Sequence, residues 1–176
     1  NNYESRSSQT YVDNTVRENY LFNSSINGIE ESDLILLIGT NPRFEATMLN
    51  ARIRKAYLSN NIDIISLNDV GDLTYPYNSF DGKTQTIKDI TENKNLEVLF
   101  LDANKPMIII GESFFNLESA EYLFHNLKKL LFMNNKFSEN WNPFNILSVN
   151  AATAGSFDLD IINEKTNLIK DLSEKK

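Results

Sequence analysis

An α/β fold built on a mainly parallel sheet follows from three features of the sequence. Two unbroken apolar runs, Leu34–Ile38 and Met107–Ile110, each stop at a glycine, Gly39 and Gly111. Runs without alternation fit strands covered on both faces, as in a parallel sheet. Each run is followed by a stretch whose apolar residues recur at helical spacing. Ile62–Leu67 adds a third strand, so residues 33–67 read strand, helix, strand. Crossovers of this kind are overwhelmingly right-handed.

Taken in order, residues 1–15 are polar and without periodicity, the pattern of a flexible or extended arm. Residues 16–167 form the α/β scaffold, and 168–176 a charged tail. After Gly39, Thr40 or Asn41 is placed to cap a helix with Pro42 at or near its first position. Phe44, Met48, Leu49, Ile53, Ala56 and Tyr57 then mark one helical stripe. Arg52, Arg54 and Lys55 fall towards its C-terminal end, where positive charge suits the helix dipole. Asp72–Tyr77 and Asp81–Gly82 are turn-rich and mark a long connection. Val98–Leu101 reads as a strand locally, and the surrounding Leu96–Leu101 equally as a helix. Ala120, Leu123, Phe124, Leu127, Leu130 and Leu131 form the stripe of a second helix. A third helix is expected from about Phe144 to Ala154, with Trp141 anchoring its start and donating its N–H to one acceptor.

Composition excludes several functions. The chain has 176 residues, room for one domain. With a net charge of −7 it lacks the clustered basic surface that nucleic-acid phosphates require. No apolar run approaches the roughly 20 residues that cross a bilayer, so no direct membrane insertion is expected. The first residues lack the basic-then-apolar pattern of a secretory signal. Cysteine is absent and there is one histidine, which removes disulfides, thiolate zinc sites and cysteine-ligated clusters.

Candidate chemistry is sparse. The turns at Gly39 and Gly111 lie where open α/β sheets take ligands, and Gly39–Pro42 leads into a helix N-terminus that suits a phosphate. Neither turn carries the G-x-G-x-x-G or P-loop pattern, and a glycine also serves a tight strand exit. Glu30, Glu31 and Asp33 read as a solvated helix end in preference to a metal site. Asp158 and Asp160 read as loop residues in preference to an acid–base pair. His125 sits beside the leucine stripe, at a surface or boundary position. No catalytic, cofactor-binding or metal-ligating residue is assigned.

A resemblance adds to this reading. The stretches Asn19–Asn23, Ile26–Glu30 and Asp33–Ala46 run almost unbroken into Leu49–Lys55. With them, the chain closely resembles the large iron–sulfur subunit of NADH:ubiquinone oxidoreductase, respiratory complex I. Asp72–Tyr75, Lys105–Gly111, Trp141–Asn142 and Asn145–Leu147 extend the match in the family's order, over roughly residues 16–162. The resemblance implies a fragment of the Rossmann-like, molybdopterin-oxidoreductase-like domain of that subunit. In enzymes sharing this fold the loop matching Gly39–Pro42 helps hold a pterin-guanine dinucleotide, whereas the complex I domain is similar in architecture without molybdenum cofactor. The family's iron–sulfur clusters sit in a cysteine-rich region that has no counterpart here, so they belong to a partner or missing region. The implied role is a non-catalytic structural subunit in the matrix-facing peripheral arm at the mitochondrial inner membrane. Its partners would be other complex I subunits, especially the cysteine-rich iron–sulfur part of the same subunit. A molybdopterin- or dinucleotide-binding α/β domain of an oxidoreductase is the alternative. A split sheet leaves open edges, so a partner chain completing or capping the sheet is also expected.

Overall fold

Five strands, β1 (Leu34–Ile38), β2 (Asp63–Ser66), β3 (Asn78–Ser79), β4 (Pro106–Gly111) and β5 (Phe144–Leu147), make one sheet of order β3-β2-β1-β4-β5. Every neighbouring pair is parallel. The computed structural model describes residues 13–159 apart from 84, 87 and 89–99. The expected strand or helix at 96–101 therefore lies mostly outside the described residues, as do 1–12 of the arm, the tail and Asp160.

The unbroken apolar runs have a simple cause. All five residues of β1 and all six of β4 are buried. Successive side chains point to opposite faces, and here each face meets a helix. Ile35, Leu37, Met107 and Ile109 pack with Leu49, Ile53 and Ala56 of α3 (Thr47–Asn60). Leu36, Ile38, Ile108 and Ile110 pack with Leu123, Phe124, Leu127 and Leu131 of α4 (Ala120–Met133). Phe124 meets Phe144 edge-on at 5.0 Å, which ties α4 to β5. The whole predicted leucine stripe of α4 is buried. Two further short helices, α1 (Ser25–Gly28) and α2 (Pro42–Glu45), precede α3, and α5 (Thr153–Asp158) follows β5.

Three expectations fail for physical reasons. Phe144–Leu147 is a strand, and among the described residues the short α5 follows it. Its four residues gain a ladder with β4 from Ile108↔Phe144 to Gly111↔Leu147, and that tertiary pairing overrides a weak local preference. Trp141 thus anchors a strand, with Nε1–H donating to the carbonyl of Pro106 at 3.1 Å. Phe44 and Met48 do not join the buried stripe; they are 81% and 75% exposed. The backbone breaks at Ala46 (φ −150°, ψ 72°), which separates α2 from α3. Arg52, Arg54 and Lys55 are mid-helix because α3 continues to Asn60. It stops there with Asn61 left-handed and its N–H on the Tyr57 carbonyl. Arg52 and Lys55 grip the carboxylate of Glu30 at 2.5 and 2.7 Å. Lys55 first, then Arg52, hold that carboxyl below its usual range.

The two sheet edges are treated differently. Along β5 the chain covers its own edge. The amide of Ile146 donates to Leu21 at 3.0 Å, Phe22 bridges Asn145 antiparallel, and Asn23 Nδ2 donates to the Phe144 carbonyl at 2.6 Å. The opposite edge, β3, is two exposed residues, and short edge strands of this kind discourage pairing between molecules.

A clasp near Asp158 holds residues 17–20 against α5. Arg17 Nε and Nη2 donate to the Asp158 carboxylate at 2.9 and 3.0 Å, and the Tyr20 hydroxyl donates at 2.7 Å. The Tyr20 ring lies 5.1 Å from Phe157. The Arg17 bonds, then that of Tyr20, pull the Asp158 carboxyl down to about 2. An unfolded aspartate titrates near ~3.9, so the clasp is at full strength above that pH and fades as pH falls towards 2. Asp158→Asn is expected to speed amide exchange at residues 19–20 at neutral pH. It should also flatten the pH dependence of that exchange between about pH 4 and 2. Exchange read by NMR checks both.

Candidate functional site at the switch point

The chain begins the sheet at its centre, builds outward through β2 and β3, then returns to the other side of β1 for β4 and β5. The reversal places a topological switch point between β1 and β4. Ligands of open α/β sheets bind there, outside the carboxyl ends of the strands. Gly39 and Gly111 leave the sheet side by side at this point, so the structure brings the two predicted turns together.

The crevice between them is filled from within. A Cβ on Gly111 would stand 2.3 Å from the Gly39 carbonyl oxygen and 2.6 Å from Thr40 Cβ. One on Gly39, which is left-handed at φ +59°, would stand 2.8 Å from both the Phe114 nitrogen and Ser113 Oγ. The Ser113 hydroxyl donates to the Gly39 carbonyl at 2.5 Å. The 3-10 turn Glu112–Asn116 is thus seated on the β1 exit, with Phe114 and Phe115 buried. The glycines serve the approach of one loop to the other.

The helix N-terminus that follows is also taken. Glu45 reaches back so that one carboxylate oxygen accepts from the Asn41 amide at 2.9 Å and the other from the Thr40 hydroxyl at 2.7 Å. Asn41 caps α2, its Oδ1 accepting from the Arg43 amide at 3.1 Å, while its Nδ2 donates to the Val70 carbonyl at 2.9 Å. Arg43 Nη1 donates to the Asp72 carbonyl and carboxylate at 2.6 and 2.7 Å. A carboxylate of the chain occupies the position that a phosphate takes in dinucleotide folds. Glu45→Ala should lower stability by about 1–2 kcal/mol through loss of this cap, measured by urea unfolding.

A cavity of about 90 Å³ remains beside Gly39, lined by Ile38, Leu67, Asn68, Gly82, Ser113 and Leu117. Organic cofactors occupy pockets of roughly 300–1,000 Å³. Among the described residues, the filled crevice at Gly39 has no space for a pterin dinucleotide.

The remaining candidates are structural. Asn50 is buried in α3, where its Nδ2 donates to the Leu73 carbonyl at 3.0 Å and its Oδ1 accepts from the Tyr75 hydroxyl at 2.8 Å. It fixes the loop after β2, and burial pushes the Tyr75 phenol pKa up. Glu31 pairs with Lys105 at 2.7 Å. The Asp33 carboxylate accepts from the amides of Asn104 and Lys105 at 2.6 and 3.0 Å, which sets the entry to β4. Glu30, Glu31 and Asp33 are therefore engaged as tethers and not simply solvated. No group of three or more His, Cys, Asp or Glu is placed to hold a metal among the described residues. His125 is exposed on α4, its ring edge-on to Phe124 at 5.9 Å. Sequence reasoning missed Glu45, Ser113 and Phe114. The Asn41-to-Glu45 spacing, one residue longer than a capping box, was the available signal.

Strand order, switch point and paired glycine exits define a doubly wound α/β domain whose switch-point crevice is filled by its own side chains among the described residues. A family model for molybdopterin oxidoreductase matches residues 1–175. The chain belongs to the molybdopterin oxidoreductase family. It is 37% identical over 150 residues to the NADH-ubiquinone oxidoreductase 75 kDa subunit of Reclinomonas americana, covering 85% of this chain and 22% of that protein. It is 31% identical over 156 residues to the mitochondrial NADH dehydrogenase [ubiquinone] iron-sulfur protein 1 of Solanum tuberosum, covering 88% and 21%. The mitochondrial 78 kDa subunit of Neurospora crassa is 37% identical over 149 residues, covering 82% and 20%. The chain spans about a fifth of the length of these relatives.

Proposed function

We propose that this chain is a non-catalytic, structural part of the large iron–sulfur subunit of mitochondrial respiratory complex I. Its work is to bury surface against neighbouring subunits and to support the cluster-bearing region, while electron transfer from NADH to ubiquinone belongs to the assembly. The observation that carries the reading is the self-filled switch point, with Glu45 on the Asn41 amide and Ser113 on the Gly39 carbonyl. Relatives named as subunits of NADH-ubiquinone oxidoreductase supply the assembly. The partners would be other complex I subunits, above all the cysteine-rich iron–sulfur part of the same subunit, in the matrix-facing arm at the inner membrane. No helix of the described residues is long and apolar enough to cross a membrane.

The alternative is a molybdopterin- or dinucleotide-binding domain of an oxidoreductase. It draws on the paired glycine exits at a switch point. Native separation of membrane complexes with mass spectrometry distinguishes the two when joined to metal analysis. Peptides of this chain should run with NADH:ubiquinone oxidoreductase activity, with molybdenum far below stoichiometric. Migration as a small free protein, or stoichiometric molybdenum or pterin fluorescence, would overturn the structural reading.

A further inference from the structure

Helix α3 presents apolar side chains on both of its faces. Leu49, Ile53 and Ala56 are buried against the sheet. At 100° per residue, Met48, Ala51, Lys55 and Leu58 lie on the opposite side. Met48 and Leu58 are 75% and 70% exposed, and Phe44, just before the helix, is 81% exposed. The 3-4-3 spacing of these positions is that of a helix–helix seam. Lys55 stands within the seam with its ammonium on Glu30, which leaves Met48, Ala51 and Leu58 as the apolar positions.

The charge of α3 points to its occupant. Its fourteen residues hold Arg52, Arg54 and Lys55 and no acid, in a chain of net charge −7. Arg52 and Arg54 flank the apolar seam on its two sides. Arg52 and Lys55 share the single carboxylate of Glu30, while Arg54 is exposed and has no carboxylate partner among the described residues. We propose that the outer face of α3 is a docking surface for an amphipathic helix of a protein partner, its apolar stripe seated on Met48, Ala51 and Leu58 and its flanks acidic. An anionic bilayer would also meet basic and apolar groups, but the chain's overall negative charge repels it and the seam is narrow. The proposal stands on this surface alone and names the partner's chemistry whichever assembly holds the chain.

A photoreactive phenylalanine analogue placed at Met48 or at Leu58 of the full chain in its native host tests it. Irradiation of intact membranes is followed by peptide mapping of the products. Lys129, exposed on α4 across the sheet, is the control position. The expected product joins both seam positions, and not 129, to one peptide of another protein with a helical apolar stripe and Asp or Glu beside it. Arg54→Glu should cut its yield by about fivefold, as reversal of one flanking ion pair would, with an unchanged far-ultraviolet spectrum. A product within this chain or with a second copy, a lipid adduct, a partner peptide without acids, a yield insensitive to Arg54→Glu, or no product above the control would each overturn it. Co-migration with complex I activity is read separately, so failure of that reading leaves this result interpretable.

Discussion

Gly111→Ala is expected to cost about 3 kcal/mol, the upper end of the usual overpacking range and a large part of the roughly 5–15 kcal/mol that holds a typical domain together. Gly111 is extended, so backbone strain plays no part. The cost is steric: the new methyl would sit 2.3 Å from a backbone oxygen of Gly39, an atom with no rotamer to retreat into. The exits of β1 and β4 would have to separate, opening the Ile38↔Ile110 end of the ladder and unseating Ser113. Urea unfolding followed by circular dichroism should show a lower midpoint at an unchanged slope. An unchanged midpoint would mean that the two loops are not in contact. Gly39→Ala should act in the same direction, with the strain of φ +59° added to the clash.

The second large effect is at Asn145. This side chain is fully buried in β5. Its Oδ1 accepts from the Ser24 amide at 2.8 Å, and its Nδ2 lies within reach of Ser24 Oγ, the Ile108 carbonyl and the Pro143 carbonyl at 2.9, 3.3 and 3.2 Å. Asn145→Leu keeps the number of side-chain atoms but strands the Ser24 amide, whereas Ser24 Oγ keeps the Asn142 carbonyl and the Pro143 carbonyl keeps the Ile108 amide. A loss of about 1–3 kcal/mol is expected, the cost of one stranded buried donor. The Ser24 amide, protected only through Asn145, should exchange at least about a hundredfold faster, which hydrogen exchange would read directly. Equal protection in the variant would show that the edge segment is held by something else.

What the sequence disclosed follows from the range of the forces involved. β1 and β4 were legible because burial on both faces removes every polar residue from a strand, and α4 because six apolar residues repeat on one face. β5 was not. Four residues are too few to carry a period, and Asn145 in their midst is polar for a tertiary reason, its bonds to Ser24. Phe44 and Met48 misled because apolar character at helical spacing does not say which of two faces meets the core. Glu30, which pairs with Arg52 and Lys55 from another turn of the chain, has no local signature. At the switch point the glycines were legible as strand exits. What fills the crevice depends on Ser113 returning to Gly39, a contact that spacing does not announce.

The covering of the β5 edge has a consequence for how this chain comes to be folded. Ser24 and Asn145 stand 121 positions apart, so the bonds between them close one of the longest loops the domain contains. A chain made from its N-terminus must keep residues 21–24 uncommitted while every strand of the sheet is synthesised. Until the last of them arrives, the growing sheet has no such seal. Contacts of that span are slow to form because loop closure is entropically uphill until the final pairing rewards it. The step that protects the domain from its neighbours is therefore among the last to occur, and the interval before it is when the nascent chain most needs a chaperone or its assembly partner at hand.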